Sequence, residues 1–163
     1  MRVLGVDPGT WKTGIAIVDF DKGKYVPVHY ETLTLQTKIL KGRVSLPKRL
    51  KKIYDNLIEV LKIYNPSVMA IEDVFYSRNF AAAVRIGEAR AVAILAATAH
   101  NVEVAEYAPT AVKSAVAGNG RASKVQMQYM VRHLLGLREN PPQDSADALA
   151  IAICHCHSVR KYV

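Results

Sequence analysis

The chain has 163 residues, 50% hydrophobic and 22% charged, which is enough for one sizeable core and scarcely for two, so a single domain over residues 1–163 is expected. Its 22 Lys and Arg against 14 Asp and Glu leave a net charge of +8, a balance that favours a polyanionic partner such as nucleic acid; the composition excludes a disordered or fibrous chain. Cys154 and Cys156 are separated by a single residue, a spacing that rarely meets disulfide geometry, and the longest apolar run, roughly Ala89 to Ala99, is too short to span a bilayer. A cytoplasmic, reducing setting without a membrane segment is the expectation.

Arg2 to Asp7 reads as a buried strand, followed by a Pro8-Gly9 turn and a second strand over Thr13 to Val18, a hairpin with Asp7 placed near its open end. A third strand is expected over Tyr25 to Leu35, after the turn at Asp21 to Lys24, so the chain opens as an antiparallel meander. Leu46, Leu50, Ile53, Leu57, Val60, Leu61 and Tyr64 repeat with helical period, started by Ser45 and Pro47 and stopped before Pro66. Val68 to Glu72 is an apolar run ending in a carboxylate, the pattern of a parallel strand buried on both faces. An Ala-rich helix follows over about Asn79 to Ala99, then a strand over Val102 to Tyr107 and helices over Pro109 to Ala117, Ser123 to Leu137 and Gln143 to His157. The order βββαβαβααα predicts an α/β fold: a mixed five-stranded sheet, three antiparallel strands then βαβ crossovers, flanked by helices.

Four acids stand out. Asp7 and Glu72 each close a buried strand, and in this topology the two strands can be neighbours near the sheet centre. Asp144 and Asp147 are three residues apart on the last helix and share one face. Held together, four carboxylates repel one another unless a cation compensates them, and an all-oxygen donor set selects a hard ion, Mg²⁺ or Mn²⁺, over zinc. A pair of such ions suits phosphodiester hydrolysis without a covalent intermediate. The plain alternative for Asp144 and Asp147 is that they favour a helix N-terminus through its dipole.

The segments DPGTWKTGIAIVD (Asp7 to Asp19), AIEDVFYSRN (Ala70 to Asn79), Val112 to Lys124 and NPPQDSADALAIAICHCH (Asn140 to His157) resemble, in order and spacing, the motifs of the RuvC family of Holliday junction resolvases. The resemblance covers nearly the whole chain and implies an RNase H-like fold. It implies that Asp7, Glu72, Asp144 and Asp147 are the catalytic acids that bind two Mg²⁺. It also makes Phe75 the aromatic residue that stacks on a base at the junction, and Lys113 and Lys124 basic residues needed for activity. Arg78 and Asn79, at the expected start of the long helix, become phosphate contacts, each of these having core packing or a solvated face as its plain alternative. The implied substrate is a four-way DNA junction, cut by paired symmetric nicks in recombination and repair, with RuvA and RuvB as branch-migration partners.

Family members are homodimers using the long helix, and here Ala81, Ala82, Ala83, Gly87, Ala89, Ala91, Ala93, Ala96 and Ala97 give it a small surface, which packing within the chain explains equally well. His155, Cys156 and His157 look like a metal cluster, but adjacent helical residues point in different directions. Asp73 would point away from Glu72 in an extended strand and is not assigned to the metals. Two rivals stay open. DPGT before a hairpin also resembles the phosphate-binding opening of actin-like ATPases and sugar kinases, which need two lobes, and a catalytically silent nucleic-acid-binding module could use the same fold.

Overall fold

The computed structural model describes residues 1–35, 44–73 and 80–160. Its order is β1 (Arg2–Asp7), β2 (Lys12–Asp21), β3 (Lys24–Thr34), α1 (Leu46–Tyr64), β4 (Val68–Glu72), α2 (Phe80–Ala99), β5 (Glu103–Tyr107), α3 (Pro109–Ala117), α4 (Lys124–Leu134) and α5 (Gln143–Arg160). The strands form one sheet in the order β3-β2-β1-β4-β5; β1 to β3 are antiparallel, and β1, β4 and β5 are parallel. This is the expected mixed five-stranded α/β sheet. The differences lie at element ends. α4 stops at Leu134 rather than Leu137, because the chain leaves the helix at Leu135 and the Leu137 N–H bonds back to the Arg132 carbonyl at 3.0 Å. α5 runs on past His157 to Arg160.

β1 is the central strand, so Val3, Leu4 and Val6 are fully buried between two layers. On one face Leu4, Val6, Ile15, Ile17, Met69 and Ile71 pack with α1 (Ile53, Leu57) and α2 (Ala89, Ala93, Ala96, Ala97). The small residues of α2 on this side therefore serve packing within the chain, as the alternative reading held. On the other face Val3, Ala16, Val18 and Ala70 pack against α5 from Ala148 to Ile153, with α3 and α4 outside it.

The seating of α5 depends on two glycines. A Cβ on Gly5 would overlap the Ala148 carbonyl oxygen, and one on Gly14 would overlap that of Asp144. The helix backbone thus rests on the backbone of β1 and β2 with no side chain between them. The hydroxyl of buried Ser145 and that of half-buried Thr32 meet at 2.9 Å and fasten the same end of α5 to β3. The first turn of α5 is held against the strand ends.

Candidate active site

Asp7 and Glu72 are brought together by the parallel pairing of β1 and β4, in which Val6 lies opposite Ile71 and each carboxylate is the next residue along. Asp7 also pairs with Gly14, which puts it at the closed, turn end of the β1–β2 hairpin rather than its open end. The Thr13 hydroxyl donates to the Gly9 carbonyl at 2.8 Å and pins that turn. Asp147 reaches the same spot from α5. Asp7, Glu72 and Asp147 line one cavity of about 320 Å³ together with Lys113 of α3 and Lys124 of α4. Asp144, one helical turn before Asp147, lies at the margin, 3.7 Å from Lys12. Lys12 carried no signal in the sequence beyond its charge.

The charges of the other three acids all reach Asp7. Burial first, then Asp147, Glu72 and Asp144 in turn, push the Asp7 carboxyl up to about 7, with Lys124 opposing. Burial raises Glu72 as well, helped by Asp147 and opposed by Lys113 and Lys124. Asp147 is raised by burial and by Asp144, again against the two lysines. Among the described residues no three His, Cys, Asp or Glu side chains are drawn into a closed cage around a single point. The acids ring a cavity instead, and the donor set, carboxylate oxygens alone with cations at the rim, fits a hard divalent ion next to a phosphate.

The other expected positions separate from this group. Phe75, Arg78 and Asn79 lie outside the described residues. Asp73 turns away to an ion pair with Arg90 at 3.5 Å, and Arg90 also binds Glu106, which ties the end of β4 to α2 and β5. Cys154 and Cys156 are buried free thiols, pushed up to about 11 and about 12 by burial. His155 meets the Tyr107 hydroxyl through Nδ1 at 2.8 Å, and burial lowers its pKa.

A carboxylate pair from adjacent central strands facing an acid pair on the last helix, on a sheet of order 3-2-1-4-5, places the chain in the RNase H-like class of nucleases and resolvases. The sequence profile of crossover junction endodeoxyribonuclease RuvC matches residues 3–155. The chain is 46% identical to the protein of that name from Caldanaerobacter subterraneus subsp. tengcongensis, over 97% of this chain and 93% of that one. It is also 46% identical to that from Dehalococcoides mccartyi strain BAV1, over 99% and 94%. Solved structures of Thermus thermophilus RuvC, alone and in complex with Holliday junction substrate, superimpose with TM-scores of 0.85 and 0.89 at 34% identity. They cover 99% of this chain and 97% and 96% of theirs. The yeast mitochondrial Holliday junction resolvase shares the fold at a TM-score of 0.69 and 18% identity, over 99% of this chain and 80% of that one. The chain belongs to the RuvC family of crossover junction endodeoxyribonucleases.

Proposed function

We propose that the chain is a structure-specific endodeoxyribonuclease that resolves Holliday junctions by paired symmetric nicks in DNA recombination and repair, as one nuclease domain over residues 1–163. The observation that carries this reading is the convergence of Asp7, Glu72 and Asp147 with Lys113 and Lys124 around one cavity, with Asp144 at its edge. The substrate rests on family membership and on the junction held by the Thermus thermophilus relative.

In this reading Asp7, Glu72, Asp144 and Asp147 hold two Mg²⁺, for which Mn²⁺ substitutes. A bound pair supplies positive charge at the attacking and the departing oxygens of an in-line phosphodiester hydrolysis. The Asp7 carboxyl feels the charge of the other three acids, which supports counting it among the residues that would hold the ions. Lys113 and Lys124 offset the acids' charge and hold the non-bridging oxygens of the scissile phosphate. Phe75 stacks on a base at the junction, and Arg78 and Asn79 hold flanking phosphates. RuvA and RuvB are the branch-migration partners that family membership implies.

Two cuts at symmetric positions require two sites, and a homodimer supplies them. Support comes from the outer face of α2, where Phe80, Val84 and Leu95 are exposed with Gly87 and Ala91 between them at helical spacing, opposite the face that packs on α1 and the sheet. No helix among the described residues is long and apolar enough to cross a membrane. We place the enzyme in the cytoplasm.

The test uses end-labelled four-way junctions, matched duplex and RNA–DNA hybrid, with Mg²⁺ or EDTA, and Asp7→Asn alongside. Symmetric Mg²⁺-dependent nicks in the junction alone, lost in Asp7→Asn while binding persists, are expected. Cleavage of the hybrid instead would overturn the substrate, and binding without cleavage under any divalent ion would leave a junction-binding module.

A further inference from the structure

A second cavity, of about 400 Å³, is lined by Thr10, Trp11, Val44, Ser45, Leu46, Arg49 and Arg85. It is reached from Asp7 along the turn that follows it, since Thr10 and Trp11 belong to the loop joining β1 to β2. Three observations give it one chemical character. Among the described residues its lining includes two guanidinium groups and no carboxylate. The Arg49 Cζ sits over the Trp11 ring, 3.7 Å from its centroid, with Arg49 only 7% exposed and Trp11 39% exposed. This fixes one cation at the floor and an indole at the lip. Ser45 and Leu46 are the start of α1, whose first turn has no acidic residue and whose N-cap side chain makes no capping bond, so the positive end of a 19-residue helix opens on the same space. Arg85 approaches from α2, exposed, its only described partner Glu88 at the long distance of 3.5 Å. The described chain beside it agrees: from Val44 to Tyr54 there are four Lys or Arg and no Asp or Glu.

We propose that this cavity is a second nucleotide-binding site of the enzyme: it takes a nucleotide of the DNA next to the strand being cut, with its phosphate held by Arg49, Arg85 and the start of α1 and its base resting against Trp11. The carboxylate site has a scissile phosphate to position, and among the described residues that line it none is aromatic. A stacked nucleotide a short distance along the chain fixes which phosphate enters that site, so Trp11, Arg49 and Arg85 are positioning residues that set where the nick falls. The proposal rests on the nuclease reading for the identity of the strand, and its test is readable without it.

Trp11 is the sole tryptophan of the chain, so its emission reports on this cavity directly. The full-length protein in Ca²⁺ is titrated with a four-way junction and with matched duplex, following DNA anisotropy and tryptophan emission together. Expected are quenching of Trp11 in step with binding, and quenching of 2-aminopurine placed beside the cut position, lost in Trp11→Leu. Arg85→Ala, on an exposed helix position, should weaken binding about five- to tenfold and lower the slope of log K against log salt by about one, the value for one phosphate contact. In Mg²⁺ the Trp11→Leu enzyme should lose its positional selectivity, cutting at scattered phosphates where the parent cuts at one. Tight DNA binding with unchanged Trp11 emission and an unchanged salt slope in Arg85→Ala would overturn the proposal while leaving the nuclease assignment intact. Preference for duplex over junction would instead overturn the substrate and leave this cavity standing if Trp11 is still quenched.

Discussion

Asp7 is the carboxylate whose charge the fold disfavours most. Its pKa is raised in the folded chain to about 7 from the ordinary 3.8, so the folded state holds a proton that the unfolded state has already released between those values. Stability of the metal-free protein therefore falls as pH rises from about 4 to about 7 and levels off above, with Glu72 and Asp147 acting in the same sense. In EDTA at pH 8, Asp7→Asn should melt a few degrees higher than the parent, roughly 1–2 kcal/mol, and the gap should vanish at pH 4. Added Mg²⁺ should raise the parent's melting point and leave Asp7→Asn nearly unmoved; equal Mg²⁺ stabilisation of both would count against Asp7 as a ligand. Catalysis should move the other way, with Asp7→Asn losing about three orders of magnitude or more in junction cleavage at undiminished junction affinity. The two cysteines make a different prediction. Buried, and with thiol pKa values near 11 and 12, they should resist an aromatic disulfide reagent at pH 8 until the chain unfolds, then react together.

The elements were largely legible because each carries its own period. The helical repeat of Leu46 to Tyr64 and the apolar run Val68 to Glu72 set those bounds to the residue. Their assembly followed from the preference for short, right-handed crossovers, and Asp7 and Glu72 were legible as charges ending buried strands. What could not be read was anything made by two distant segments with no shared pattern. Lys12 meeting Asp144, Arg90 clamping Asp73 and Glu106, and Arg49 under Trp11 are surface-type residues until the fold juxtaposes them. The seating of α5 was hidden for the opposite reason: Gly5 and Gly14 have no side chain to announce a contact. Gly14→Ala should push the first turn of α5 off β2, lowering stability by about 2–4 kcal/mol and abolishing cleavage although no ligand is altered. Gly87→Ala, where a Cβ meets nothing within the subunit, is the control for packing within the chain and, at concentrations where the protein is monomeric, should stabilise slightly or not at all. Similar losses in the two variants, read by denaturant unfolding, would remove the close approach as the cause.

At the scale of the whole molecule the proposed dimer is the testable property. Leu95→Glu on the outer face of α2, a residue 60% exposed, should leave a folded monomer by sedimentation that nicks one strand of a junction but no longer makes paired cuts. A dimer that persists in this variant would move the interface elsewhere. Both acids of α5 ride on a helix that packs on β1 and β2 at one side and on α3 and α4, which carry the two lysines, at the other. The close seat at Gly14 also has a genetic meaning. Every codon change there that alters the protein adds at least one carbon where the Asp144 carbonyl oxygen lies. Only silent mutations can accumulate at that codon in an active enzyme, so an allele with a missense change at Gly14 should behave in a cell as a resolvase null, with all four acids unaltered in its sequence.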